Sequence, residues 1–337
     1  MRADALARTA ANQPFSAEAL RLDGPAEIAR ISDNLRRQVR ETLRKRGIVL
    51  GLSGGIDSSV TAGLAARALG PGKVLGILMP EHDSDPESLR LGRLVADAFG
   101  IETVVEDIAP MLDASGCYRR RDEAIRKLVP EFGPGWGCKV AIANALEGGS
   151  YNITSLVVQS PDGVQQKMRM PLDVYLAVIA ATNMKQRTRK LLEYTHADRL
   201  NYAVAGTPNR LEYDQGFFVK NGDGAADVKP IAHLYKTQVY QLADELGVPA
   251  EIRSRPPTTD TWSLAQTQDE FYFSLPHDRM DLCLYGLNHG VPPAEVGAAA
   301  CLTEAQVGMV WNDIAAKRRA TTYLHEGPLL VDPVLAH

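Results

Sequence analysis

Seven consecutive residues, Ser53-Gly54-Gly55-Ile56-Asp57-Ser58-Ser59, combine two glycines, three hydroxyls and one carboxylate between an apolar run and an alanine-rich stretch. Glycines let backbone N–H groups close around phosphate oxygens, a helix N-terminus adds positive potential, and serine hydroxyls add donors. A carboxylate in such a loop would repel a bare phosphate, so Asp57 implies a divalent cation held between the carboxylate and a phosphate chain. The plainer reading, a helix cap of small polar residues, leaves the acid unexplained.

A loop of this kind needs a strand to deliver it and a helix to leave it. Ile48-Val49-Leu50-Gly51-Leu52 reads as the strand, and Asp57 to Leu69 as the helix. Upstream, Ile28, Ile31, Leu35, Val39 and Leu43 recur at helical spacing, which predicts an amphipathic helix over 26–47. Downstream come a strand at 74–79, a helix at 87–99 and a strand at 102–105, and later a helix at 172–194, a strand at 202–205 and a helix at 236–246. This alternation predicts an α/β fold, a doubly wound parallel sheet with flanking helices. An interruption at about 115–170 holds a basic run, Arg119 to Arg121, expected to be a solvated face, and a hairpin around Ser160-Pro161-Asp162-Gly163. Such a segment is either a lid or interface arm, or decoration. The stretch 292–320 reads as helical with a cap at Thr303, and a tail follows Gly327. The expected organisation is an N-terminal helical segment (1–47), a nucleotide domain (48–275) carrying the insertion, and a C-terminal helical region with its tail (276–337).

The 337 residues are 45% hydrophobic and 23% charged, and Lys+Arg 37 against Asp+Glu 41 gives −4, so coating nucleic acid or an anionic membrane is not the expected role. Four cysteines without a CxxC pair read as reduced thiols, and seven histidines without metal-ligand spacing give no zinc site. No secretory h-region or spanning run is found, so a cytoplasmic protein is expected. Trp136, Trp262 and Trp311 read as core or interface residues.

The seven-residue string resembles the PP-loop, SGGxDSS, of the ATP pyrophosphatase superfamily, which cuts ATP to AMP and pyrophosphate. No GxxxxGK[ST] loop is present, so γ-phosphate transfer is not indicated. A second motif runs from Phe217 through Lys220, Asn221, Gly222, Asp223, Gly224 and Asp227 to Pro230, and resembles the FTKYGDGGxDxxP segment of NAD synthetases. Leu234 to Val239, Pro257-Thr258-Thr259-Asp260, Trp262 with Gln266-Thr267, and the helix carrying Asn183, Arg187 and Arg189 extend the match. The resemblance covers 26–110 and 180–275, reaches the C-terminal helices weakly, and leaves out 115–170.

The resemblance implies a Rossmann-like fold of the adenine nucleotide alpha hydrolase type and an ammonia-dependent synthetase that amidates deamido-NAD through an acyl-adenylate. ATP contacts are implied for Ser53, Gly54, Gly55, Ile56, Asp57, Ser58, Ser59, Thr207, Lys236 and Thr258. Magnesium would be held by Asp57 and Glu212, and the acceptor contacted by Arg187, Lys220, Asp227 and, by loose alignment, Lys317. Asp57, Lys220, Lys236 and Asp223 are the expected catalytic residues; Asp223 would orient ammonia or cap its turn. Free ammonia or a separate glutaminase partner would supply nitrogen, and the family is typically a homodimer. Asn221 in place of the usual tyrosine, and Pro208 and Leu211 between Thr207 and Glu212, depart from the pattern on the acceptor side. They keep a second reading open, an amide ligase of the same chemistry for another carboxylate. A catalytically silent nucleotide-binding paralogue is the third, opposed by the presence of Asp57, Glu212, Lys220 and Lys236.

Overall fold

The computed structural model describes residues 14–142, 154–258, 261–332 and 334. The first thirteen residues, the middle of the interrupting segment, and Thr259 and Asp260 of the Pro257 to Asp260 motif lie outside the described residues. The first half of the chain runs α1 (Gly24–Arg37), β1 (Ile48–Gly51), α2 (Ile56–Leu69), β2 (Val74–Leu78), α3 (Pro86–Phe99), β3 (Glu102–Val105), α4 (Ala109–Ser115) and α5 (Cys117–Arg126). Then follow β4 (Gly137–Ile142), β5 (Thr154–Gln159), β6 (Gln165–Arg169), α6 (Leu172–Leu200), β7 (Ala203–Val204) and α7 (Arg210–Gln215). Four helices follow: α8 (Lys236–Glu245), α9 (Ala250–Arg253), α10 (His277–His289) and α11 (Pro293–Ala300), before α12 (Glu304–His325).

The first three strands and β7 form a parallel sheet in the order β3-β2-β1-β7, with Ile48 paired to both Val74 and Ala203. Alternation along β1 divides the core. Ile48 and Leu50 pack with Ile31, Val60, Val95 and Val239 of α1, α2, α3 and α8, whereas Val49 faces Ala197 of α6 on the other side. Helices on both faces explain why β1 and β2 are continuous apolar runs, and the predicted doubly wound class is the one observed. The chain adds β2 and β3 on one side of β1 and then β7 on the other. The loops leaving β1 and β7 therefore part at a switch point, where such sheets open a crevice beyond their strand ends.

Three boundaries differ from the sequence reading. The helix expected over 26–47 stops at Arg37, passes through a π-turn (Gln38–Thr42), and reverses at Arg44 with φ 53°, so that the chain turns into β1. The helix expected to end at 194 continues to Leu200, where Asn201 closes it in the left-handed region. The stretch 292–320 is two helices, separated where Cys301 takes φ 53°; Thr303 then caps α12 with Gln306 in a reciprocal capping box.

The interrupting segment is packed into the body. Its antiparallel sheet β4-β5-β6 contains the predicted hairpin, and Val140, Leu156 and Val158 share a core with Val174, Val178 and Trp262. The basic run is not a uniformly solvated face. Arg119 is exposed and pairs with Glu123, but Arg121 is buried and pairs with Asp83 and Asp122, because α5 lays it against the loop after β2. All four cysteines are free thiols, and no helix among the described residues is long and apolar enough to cross a membrane.

Candidate active site

A cavity of about 910 Å³ opens where β1 ends, walled by the 53–58 loop, α6, the residues after β2, residues 255–258 with Thr261 and Trp262, and α12. Gly54 takes φ 75°, which places the loop in a conformation glycine accepts freely, and Gly55 starts α2. No side chain among the described residues caps this helix, so the N–H groups of its first turn are available to an anion. Ser53 Oγ accepts from Gly55 N at 3.2 Å and lies 3.2 Å from Ser58 Oγ. Ser59 is fully buried, donates to Gly55 O at 2.8 Å, and does not line the cavity.

Asp57, Glu212 and Lys236 come from three separate segments and converge. Asn209 joins two of them: its Nδ2 donates to Asp57 Oδ1 at 3.1 Å, while its side-chain oxygen caps α7 and its N–H donates to Glu212 Oε2 at 3.1 Å. Gln268 Nε2 donates to Glu212 Oε1 at 2.9 Å. Lys236, 1% exposed, pairs its ammonium with Asp57. Asp281 of α10 holds the start of α8, accepting from Lys236 N at 3.2 Å and Thr237 N at 2.6 Å. Burial and the charge of Asp57 push the Glu212 carboxyl up to about 8 against the pull of Lys236. For Lys236, burial opposes the charge, but Asp57 and Glu212 outweigh it and hold its pKa above the usual lysine value.

A Glu212 carboxyl whose ionisation the nearby Asp57 charge disfavours fits a hard divalent cation, which takes oxygen ligands and relieves that repulsion. No cluster of three or more acidic, His or Cys ligands exists among the described residues, so phosphate oxygens and water would complete such a site.

Thr207, Thr258, Asp223 and Lys317 also line the cavity. Asp223 accepts from Val219 N at 2.7 Å, and burial raises its carboxyl. Lys317 donates to Tyr272 O and Asp313 Oδ2, both at 2.6 Å; burial lowers its pKa against the opposing charge of Asp313. Arg187, Lys220 and Asp227 are not brought to the cavity. Lys220 Nζ donates to Tyr323 O at 2.6 Å and Glu326 O at 2.8 Å, Arg187 Nε donates to Lys220 O at 3.3 Å, and Asp227 Oδ2 accepts from Val204 N at 2.7 Å. Asn221 sits at φ 61°, a left-handed turn position that asparagine tolerates, which gives this departure a backbone reason. Pro208 lines the cavity, and Leu211 is core.

Sequence reasoning missed Asn209, although asparagine three residues before Glu212 is a capping-box signal. It also missed Glu193, a cavity residue buried beside Lys190 at 2.6 Å, with its carboxyl raised by burial. Trp262 lines the cavity with a buried Nε1 that has no partner among the described residues.

A family model described as NAD synthase matches residues 27–129 and 140–320, and so runs through most of the segment that the motif resemblance left out. An NH(3)-dependent NAD(+) synthetase of Rhizobium meliloti (strain 1021) is 71% identical over 320 residues, 95% of this chain and 96% of that protein. One of Methanocaldococcus jannaschii is 33% identical over 269 residues, 80% of this chain and 83% of its own. Among solved structures, an NMN synthetase from Francisella tularensis superposes with TM-score 0.62 at 20% identity, covering 92% of this chain and 99% of that one. An NH3-dependent NAD synthetase from Campylobacter jejuni gives TM-score 0.59 at 21% identity over 92% and 100%. At these identities the structural likeness is one of fold.

Proposed function

The chain belongs to the NAD synthase family and is an ammonia-dependent, NAD-forming carbon–nitrogen ligase, and from that premise we propose how its cavity divides the work. The observation that carries the proposal is the convergence of Asp57, Glu212 and Lys236 at the uncapped start of α2, in one cavity with Asp223 and Lys317. ATP would lay its phosphates on the 53–58 loop, against the first-turn N–H groups and the Lys236 ammonium. Asp57 and Glu212 would hold magnesium, whose contribution when bound is to neutralise phosphate oxygens as pyrophosphate departs.

The deamido-NAD carboxylate would attack the α-phosphorus, forming the acyl-adenylate and releasing pyrophosphate; ammonia would then attack the acyl carbon and expel AMP. No side-chain nucleophile takes part. The chain's contribution is to position two anionic substrates and stabilise the charge that develops on the leaving group. Asp223 would face the ammonia step, and Lys317 the acceptor. Arg187, Lys220 and Asp227 remain proposed acceptor contacts, and Lys220 would have to release the carbonyls of Tyr323 and Glu326 to serve. We place the enzyme in the cytoplasm as a homodimer, on the family's pattern. Incubation with ATP, magnesium, ammonium and deamido-NAD should yield NAD, AMP and pyrophosphate in equal amounts. ATP cleavage without NAD would point to another carboxylate acceptor.

A further inference from the structure

Behind the cavity wall, five charged side chains from three separate segments meet, and Glu81, Arg121 and Lys185 among them are buried. Lys185 of α6, 1% exposed, donates to Glu81 Oε1 at 2.9 Å, Asp83 Oδ2 at 2.5 Å and the carbonyl of Thr261 at 2.8 Å. Arg121 of the interrupting segment pairs with Asp83 and with Asp122, and Tyr118 Oη donates to the second Glu81 oxygen at 2.7 Å. Lys185 does not itself line the cavity, but both stretches that it grips do. Pro80, Ser84 and Asp85 wall it from the loop after β2, and Thr258, Thr261 and Trp262 from the other side.

The same second stretch is tied to the edge of β4. Cys138 N donates to Ser263 Oγ at 2.9 Å, Gln266 Nε2 to Val140 O at 2.6 Å, and Lys139 Nζ to Ala265 O at 3.2 Å. A loop gripped at a buried charge and along a strand edge has lost its ordering entropy before ligand arrives.

We propose that Lys185 is a positioning residue: its ammonium joins the loop after β2 to the Thr261–Trp262 pair and, together with the contacts that the interrupting segment makes to both sides, holds the two walls of the nucleotide cavity in place. Each of its three bonds runs to a group on one of those walls, and exclusion from water strengthens all three. Losing the grip on Thr261 would leave the chemistry intact and lower the fraction of molecules ready to bind ATP, which raises the apparent dissociation constant in proportion.

The inference rests on the nucleotide site proposed above. Hydrogen exchange on the ligand-free protein needs no activity, so its failure and the failure of the functional reading are told apart. The Leu264 amide of the wild-type protein, which donates to Cys138 O at 3.3 Å, should be protected without ATP; exchange there at the rate of a free loop would overturn the proposal. Lys185→Met alone strands the buried Glu81 carboxylate and risks unfolding, so the test pairs it with Glu81→Gln, which keeps the buried charge balanced and leaves the Arg121–Asp83 pair. The double variant should raise the KM for ATP about tenfold, as expected if one molecule in ten stays competent. Its kcat should stay within about twofold, as an effect on binding alone requires. Exchange should quicken in the 80–85 and 261–268 stretches and slow again with ATP. A folded double variant with unchanged KM and exchange, or one that loses kcat with KM unchanged, would refute the role.

Discussion

Gly54 and Gly55 are neighbours in the same loop, and the structure predicts opposite outcomes when each is replaced by alanine. At Gly54, φ is 75°, and a Cβ would stand 2.6 Å from Leu91 Cβ and 3.1 Å from Ser88 O. The left-handed conformation costs an L-residue about 1–2 kcal/mol, and overpacking against α3 about 1–3 more, so Gly54→Ala should lose on the order of 2–5 kcal/mol. At Gly55, φ is −83°, and among the described residues a Cβ would approach only Ser53 Oγ, at 3.3 Å. The smaller unfolded-state entropy of alanine then offsets a small side-chain adjustment, so Gly55→Ala should stay within about 1 kcal/mol of wild type. Thermal unfolding reads the difference, at roughly 1–2 °C per kcal/mol for a chain of this size. Calorimetric titration with ATP should show Gly54→Ala weakened as well, because relief of the clash must move the loop. A Gly54→Ala protein as stable as wild type, or a Gly55→Ala protein as damaged as Gly54→Ala, would refute this account of the loop.

Asp57→Asn should fold and lower kcat by about 10²- to 10³-fold, the usual cost of removing one preorganised electrostatic partner, as read by pyrophosphate release; near-normal turnover would remove Asp57 from the mechanism. Glu212→Gln tests the buried acid. The folded chain holds a proton on Glu212 up to about pH 8 that the unfolded chain releases near 4.5, so this residue's contribution to stability falls as pH rises through that window. In magnesium-free buffer, the stability of Glu212→Gln relative to wild type should therefore improve by on the order of 2 kcal/mol between about pH 6 and 8, while its activity is lost; a pH-independent difference in denaturant midpoints would contradict the assignment. Comparison with wild type cancels the titration of Asp281, whose carboxyl burial raises to about 7. Deleting residues 115–170 should abolish cooperative unfolding, because it strips the partners of Val174, Val178 and Trp262; a soluble, cooperatively folding product would show the segment to be separable.

The phosphate loop was legible because its signal is local: two glycines, an acid and the change from strand to helix lie within one short string. The doubly wound class was legible for a similar reason, since β1 and β2, covered on both faces, must be continuously apolar. Orientation was not. Phe217 to Pro230 is one motif in the sequence, yet the turn at Val219 to Gly224 sends Asp223 into the cavity and Lys220 toward the end of α12. Nor could the sequence distinguish Arg121 from Arg119. The distant partner of Arg121, Asp83, arises from the loop after β2, 38 positions away, and only the packing of α5 against α6 brings the two together.

The central claim is that the acceptor carboxylate attacks the α-phosphorus of ATP. It is tested most directly with deamido-NAD labelled with ¹⁸O in the carboxylate, followed by mass analysis of the products. An acyl-adenylate route requires one labelled oxygen to leave with AMP, with pyrophosphate unlabelled. Label in inorganic phosphate beside ADP, or NAD formation with no label in AMP, would contradict it.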